Sequence, residues 1–433
     1  MVLEEIAEVI YAPAKALKKV IENPKYLAAI VVLILFIGLQ FGYEYVQLSK
    51  TYVENTSPLI GELPMFTNAT LWNNGTAVVL NNNYGDYFNY TVYAGTYGFY
   101  DLFTNYTNVP GPSSLEINAT NSVNASAVLG SPVLGDPGNV VNVSCGADGF
   151  QNISAALKLV SPDSVPQNAS LTLYSFGYSD SYTHDLTSYL SNSSLIGEWE
   201  NLTIPVGPSA SGWTSSGSPT WDNITSLSLE FNYPSASNIS VRVGALFFRG
   251  QYESPVQSAG LNIVISTLEE FSLQFVLTWL LVTGIIYLFF KGFKATILWK
   301  PLFVAVGLAL TVMVIRALIN FVAAFTLPTT YYPFDVAFGT GSNVLGAISY
   351  PSQYIGLLNM QSQSAANAII SATSGFGDLV LALFVVSYVW LGYLCYLIVS
   401  QLNPAFSMTK RISIAGVSVG ITIFLLLFFT IPI

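Results

Sequence analysis

The sequence predicts a membrane bundle of five transmembrane α-helices carrying one large extracellular all-β sandwich. Three observations lead there. Only 9% of the 433 residues are charged and 52% are hydrophobic, against about 25% charge in an ordinary soluble domain. Five apolar stretches reach the roughly 20 residues that a helix needs to cross a lipid core of about 30 Å. Between the first and second lies a polar block, residues 51–262, with short alternating apolar runs and no long one. The net charge of −10 excludes a basic nucleic-acid binder. One histidine and two cysteines exclude a His-rich metal site, a zinc ribbon and a disulfide framework.

Residues 1–25 come first. Ile6, Val9, Ile10, Leu17, Val20 and Ile21 form an apolar face over two short helical pieces, divided at Pro13 and stopped before Pro24. Lys15, Lys18 and Lys19 lie on the polar face, which suits a helix on the cytoplasmic lipid surface or one tucked beneath the bundle. The predicted spans are Tyr26–Val46, Phe271–Phe290, Pro301–Leu327, Gly377–Leu402 and Ile412–Ile433. The first reads as a retained signal anchor, being too long for a cleavable signal. Residues 328–376 form an outer loop, in which 354–371 is mildly apolar and suits a surface helix or a re-entrant piece.

Orientation follows from the bases. Lys15, Lys18, Lys19 and Lys25 precede the first span, Lys291, Lys294 and Lys300 fill the link after the second, and Lys410 and Arg411 precede the fifth. In a five-span chain these share one side, the cytoplasmic one. Block 51–262 and the C-terminus then lie outside. The glycosylation sequons agree, because all fourteen fall in that block: Asn55, Asn68, Asn74, Asn89, Asn105, Asn118, Asn124, Asn142, Asn152, Asn168, Asn192, Asn201, Asn223 and Asn238.

Strands alternate in the second half of the block. Leu171 and Leu173 flank Thr172, and Leu202, Ile204 and Val206 follow Trp199. Leu227, Leu229 and Phe231 alternate with serines and Glu230, while Ile239, Val241 and Val243 alternate with Ser240 and Arg242. Turn residues separate them at Gly207–Gly217 and Tyr233–Ser237, which predicts one antiparallel sandwich, or two with a break near Gly135–Gly138.

The runs Trp199-Glu-Asn-Leu-Thr-Ile-Pro-Val, Trp221-Asp-Asn-Ile-Thr-Ser-Leu-Ser-Leu-Glu-Phe and Val241-Arg-Val-Gly-Ala-Leu-Phe-Phe-Arg are similar to the closing strands of jelly-roll domains of the carbohydrate-binding-module and galactose-binding kind. That resemblance implies a jelly-roll-like fold and glycan contact. Trp213, in a Gly/Ser-rich loop, and Trp221 are the glycan-binding candidates, since sugars stack on exposed aromatic faces; Trp199 and Trp221 equally suit core positions that open strands. Asp86, Asp148, Asp180 and Asp222 are carboxylates that suit structural calcium, without the spacing of a calcium loop. No other cofactor and no metal site is expected. Cys145 has no partner in its compartment, so it is either a buried small hydrophobe or a bridge between chains.

Ile10-Tyr11-Ala12-Pro13 is similar to the Leu-Tyr-X-Pro core of the N-terminal motif of the Yip (Ypt-interacting protein) family of five-span membrane proteins. Asn23-Pro24 before the first span and the short basic link after the second agree with that layout. Val9 stands where the eukaryotic motif has aspartate, and the outer insertion departs from the pattern, giving an arrangement that looks archaeal. Inside the membrane half, Arg316 sits fifteen residues into the third span, where an unpaired charge costs about 2.5–3.5 kcal/mol. Asp378, Glu269 and Glu270 are the acids near it, and pairing with Asp378 or Glu270 is expected.

No catalytic set emerges. His184 has only Asp185 beside it, and Glu198 and Glu200 lack a second positioned acid. The expected function is a non-enzymatic membrane scaffold presenting a glycan- or protein-binding β-domain. Its expected partners are lipids, surface-layer glycans or glycoproteins and further copies of the chain, with no nucleic acid. The alternative is transport or lipid handling at a polar site around Arg316.

Overall fold

The computed structural model describes residues 2–58, 66–74, 78–86, 113–133, 138–191, 196–333 and 360–430. Asn89, Asn105, Asn192, most of the Gly135–Gly138 break and most of the 328–376 loop lie outside the described residues. The chain divides into a helical unit, Met1–Tyr52 with Ser254–Thr330 and Ile369–Ile433, and a β unit, Val53–Glu253 with Tyr331–Ala368.

The helical unit opens with α1 (Val2–Tyr11) and α2 (Pro13–Glu22), divided at Pro13 as its fixed φ and missing N–H require. Val9 and Leu17 are buried together with Ala29 and Val32 of α3 (Tyr26–Ser49), so the pair is packed on the bundle. Glu8 pairs with Lys15 at 2.8 Å and Glu5 with Lys19 at 3.6 Å, holding α1 against α2. Between α3 and the next span come a four-residue helix α4 (Thr187–Leu190) in the β unit and α5 (Pro255–Ala259).

Ser254 caps α5, its side chain accepting from the Gln257 N–H while the Gln257 side chain accepts from the Ser254 N–H. Then follow α6 (Leu261–Gly292), α7 (Trp299–Ala309), α8 (Thr311–Ala324), α9 (Met360–Leu402) and α10 (Met408–Thr430). Among the described residues, five stretches are long and apolar enough to cross a membrane: Tyr26–Ser49, Phe271–Gly292, Trp299–Ala324, Asn367–Leu402 and Met408–Leu426.

Three helices depart from the expected bounds. The third apolar stretch, Trp299–Ala324, is interrupted at Leu310, beside which Thr311 Oγ1 donates to the Leu308 carbonyl at 2.7 Å. The second apolar stretch starts at Phe271 as expected, but its helix α6 already begins at Leu261. The fourth begins at Met360, so residues 360–376 are neither a separate surface helix nor re-entrant. No proline interrupts Met360–Leu402, and its 43 residues reach about 65 Å at 1.5 Å each. Glycine allows the closest approaches: a Cβ on Gly42 would lie 2.7 Å from the Phe321 ring, and one on Gly307 2.4 Å from the Trp279 ring.

Among the described residues the β unit is one connected antiparallel sheet of eleven strands. The strands are β1 (Thr51–Ser57), β2 (Trp72–Asn74), β3 (Val78–Asn83), β4 (Ser114–Leu129), β5 (Asn152–Ser161), β6 (Asn168–Tyr174), β7 (Ser181–Asp185), β8 (Glu200–Pro205), β9 (Trp213–Ser216), β10 (Ser226–Glu253) and β11 (Thr330–Tyr332). The sheet branches rather than running as one row of strands, because β4 and β10 run through both halves. β10 pairs with β6 at Ser226–Asn232 and with β5 at Ser240–Arg249, with β4 alongside from Leu227 to Val243.

Tyr233–Ser237, which reads as a turn, is instead a bulge within β10. Pro234 is exposed there, as a residue without an N–H must be, and Asn121 of β4 takes φ 49° opposite, its N–H bonded to Asn238 Oδ1 at 3.1 Å. Leu227, Leu229 and Phe231 from one half and Ile239, Val241 and Val243 from the other enter one hydrophobic cluster with Leu171, Leu173, Leu202 and Ile204. Arg249 grips Glu54 with two hydrogen bonds of 2.8 Å, fixing β1 to β10.

Candidate functional site

The register places Tyr182 opposite Leu173, His184 opposite Leu171, and Trp213 opposite His184. These side chains therefore share the core-facing side of the sheet on its edge strands β7 and β9. Leu171 and Leu173 are buried, while Tyr182 and Trp213 are half-buried. The inward face continues past the core as an aromatic ledge. Trp221 completes it: its ring stacks on Tyr182 at 3.9 Å with planes 9° apart, and meets Trp213 edge-on at 5.5 Å. His184 lies 4.9 Å from Trp213 and 6.0 Å from Tyr189.

Two glycines let the loop between β8 and Trp221 lie this close. Gly212, at φ +84°, passes over His184, where a Cβ would fall 2.9 Å from the ring. Gly217, at φ +72°, presses on the β6–β7 hairpin, where a Cβ would fall 2.5 Å from the Ser179 carbonyl. Asp180 Oδ1 accepts from the Ser218 N–H at 2.7 Å, and the Thr220 carbonyl accepts from Ser175 Oγ at 3.2 Å. On the hairpin Tyr178 and Phe176 are 62% and 46% exposed, and the Tyr178 ring meets Tyr174 at 5.6 Å.

The polar atoms of the ledge are largely used internally. Trp213 Nε1 donates to the Pro205 carbonyl at 2.8 Å and the Tyr182 hydroxyl to the Pro219 carbonyl at 2.9 Å. Ring faces are what it offers. Burial pushes His184 below its ordinary value, against the opposing pull of the Gly212 carbonyl and the Asp185 carboxylate.

The opposite face of the sheet carries a row of charges. Glu116 of β4, Arg242 of β10 and Lys158 of β5 stand in register. Asp86 bonds Lys158 Nζ at 2.8 Å, the Arg242 guanidinium and Trp199 Nε1, the last at 3.1 Å; Glu116 takes Arg242 Nη2 at 3.1 Å. Burial alone would raise the Asp86 carboxyl, but the Lys158, Trp199 and Arg242 hydrogen bonds together bring it below the usual value. Trp199 is therefore not a core residue: Leu202 and Ile204 face inward, so position 199 faces out, toward Lys158 Nζ at 5.9 Å.

Sequence reasoning named Trp213 and Trp221, and the structure brings them together. It missed Tyr182; the available signal was that Tyr182 and His184 share the two-residue period of their strand. Among the described residues no three His, Cys, Asp or Glu side chains gather as metal ligands. Asp180 holds the ledge loop, Asp222 lies near Thr220 Oγ1 at 3.4 Å, and Asp148 is exposed. Glu198 is exposed. Cys145 is wholly buried, with its thiol pushed up to about 12 by that burial, which removes the bridge between chains.

Of the sequons, Asn142, Asn168 and Asn238 are exposed, while Asn55, Asn68, Asn118, Asn152, Asn201 and Asn223 are half-buried. Asn124 Nδ2 donates to Glu230 Oε1 and Asn232 Oδ1, both at 2.7 Å. The side chain of Asn74 lies outside the described residues, as does that of Glu270.

In the helical unit Arg316 packs its guanidinium on two rings of α9, 5.6 Å from the centre of Phe384 and 5.9 Å from that of Tyr388. The expected pairing with Asp378 does not occur. Asp378 is exposed six residues before Phe384, about 9 Å along the axis from the level of Arg316. Glu269 is exposed too, and no ion pair reaches Arg316 among the described residues.

No protein-family model matches the chain, and no curated protein is similar to it. Solved structures similar to it include the family 11 carbohydrate-binding module of Clostridium thermocellum in complex with a β-1,3-1,4-mixed-linked tetrasaccharide, at 14% identity and TM-score 0.25, over 45% of this chain and 94% of the module. An arabinose-bound α-L-arabinofuranosidase matches at 10% identity and TM-score 0.26, over 46% of this chain and 26% of the enzyme. A carbohydrate-binding module of the β-sandwich superfamily matches at 10% and 0.25, over 44% and 60%. At these values the likeness is one of strand arrangement, and no ligand follows from it.

Proposed function

We propose that the chain is a non-enzymatic, multi-pass membrane scaffold of Yip-like layout, archaeal in character, that presents its β unit outside the cell to bind glycans of the surface layer or of glycoproteins. The observation that carries the reading is the pairing of Trp213 and Trp221 at 5.5 Å on a half-exposed ledge. Their flat faces suit the apolar faces of pyranose rings, and Ser215 and the Asp222 carboxylate are exposed nearby for sugar hydroxyls. The exposed sequons Asn142, Asn168 and Asn238 are the sites expected to carry glycans themselves.

The full chain in mild detergent, applied to a glycan array, tests this. A restricted set of sugars should bind, and Trp213→Ala or Trp221→Ala should each weaken binding by about 2 kcal/mol, roughly thirtyfold. Flat signals across all sugars, or variants that bind like the parent, would remove the glycan reading. The second reading, transport or lipid handling at Arg316, is favoured by a guanidinium held among rings without a carboxylate among the described residues. It requires that Arg316→Gln abolish movement of an anionic solute or lipid in reconstituted vesicles.

A further inference from the structure

A groove of about 310 Å³ opens where the end of α6 meets the start of α10. Phe289, Ile414 and Val417 line its apolar part, and Ser407, Thr409 and Lys410 its polar end. From Thr409 to Val417 the groove follows α10 for about 12 Å, from the basic link toward the apolar stretch. Its cation is held in place. Lys410 Nζ sits 4.2 Å from the centre of the Phe293 ring and 5.4 Å from that of Phe406, and Phe406 in turn packs on Phe290 at 5.2 Å.

The surroundings are of one sign. Links 291–300 and 403–411 contain Lys291, Lys294, Lys300, Lys410 and Arg411 and no acid. Of the glutamates of α1 and α2, Glu8, Glu5 and Glu22 lie with Lys15, Lys19 and Lys18 of their own hairpin. Among the described residues no carboxylate pairs with Lys410. An aromatic-held ammonium beside two hydroxyls, continued by an apolar channel, complements a phosphate with a hydrocarbon tail.

We propose that this groove is a specific site for an anionic phospholipid of the leaflet on the lysine side, with its phosphate on Lys410, Ser407 and Thr409 and one acyl chain along Phe289, Ile414 and Val417. The inference rests on the membrane reading of the five apolar helices.

Native mass spectrometry of the full chain in neutral detergent, titrated with phosphatidylglycerol or phosphatidylcholine, tests it. One phosphatidylglycerol should be retained per chain in preference to phosphatidylcholine. Lys410→Gln should weaken that retention about fivefold, the worth of one basic residue at an anionic surface. Ser413→Phe, which fills the groove, should displace the lipid, whereas Lys18→Gln on α2 should change nothing. Equal retention of the two lipids, or a Lys410→Gln chain that holds phosphatidylglycerol like the parent, overturns the site. Extraction of cell membranes at alkaline pH separates the two claims. A chain released by alkali defeats the membrane reading and the groove with it, while one that stays in the membrane without lipid preference defeats the groove alone.

Discussion

At the scale of single residues, the ledge depends on a histidine kept neutral and on glycines that no other residue replaces. His184 is depressed from 6.5 in the folded chain, so the stability linked to it is present above about pH 6.5 and lost as pH falls below that value. Asp86 is depressed from 3.8, so its contribution is lost only at lower pH. Thermal unfolding of the β unit is therefore expected to shift downward between pH 7 and pH 5, and His184→Gln to flatten that slope whatever it does to the absolute melting temperature. A slope unchanged by the substitution would assign the effect elsewhere. Gly217→Ala puts a Cβ against the Ser179 carbonyl at φ +72°, and is expected to cost about 1–2 kcal/mol in chemical denaturation. Neither requirement was visible beforehand: Gly207–Gly217 read correctly as a loop, but nothing local says which ring a loop will cover.

At the scale of elements, periodic residues announced themselves and boundaries did not. Pro13 and Pro24 marked the ends of α2 because proline acts through its own φ and missing N–H, wherever the helix packs. Leu227–Phe231 and Ile239–Val243 were legible as alternating runs for the same local reason. Their fusion into one strand was not, since it depends on β4, 100 residues earlier, supplying partners across the bulge. The helical extensions at Leu261 and Met360 were likewise hidden, because mildly apolar sequence leaves the choice between loop and helix to its surroundings. The burial of Val9 and Leu17 also settled what amphipathicity left open, a surface helix or a packed one. Leu17→Ala is accordingly expected to destabilise the helical unit by about 2–5 kcal/mol, read as a lower melting temperature in detergent, whereas a lipid-surface helix would lose membrane contact without that shift.

At the scale of the whole molecule, composition alone separated an apolar helical unit from a polar β unit, because the first is built of long apolar runs and the second of short alternating ones. The candidate site was half legible. Trp213 and Trp221 stood out as large aromatics in turn-rich sequence, but their meeting on the edge of β7 and β9 is a property of the register. The arrangement of the two units across a membrane is the claim on which the functional reading stands, and the chain offers a clean way to measure it. Both native cysteines, Cys145 and Cys395, are buried. A single introduced cysteine, Thr214→Cys on β9 or Met408→Cys at the lysine-bearing link, can be probed in sealed cells with a membrane-impermeant maleimide. The expected result is labelling of the first without permeabilisation and of the second only after it; labelling in the reverse pattern would contradict the account.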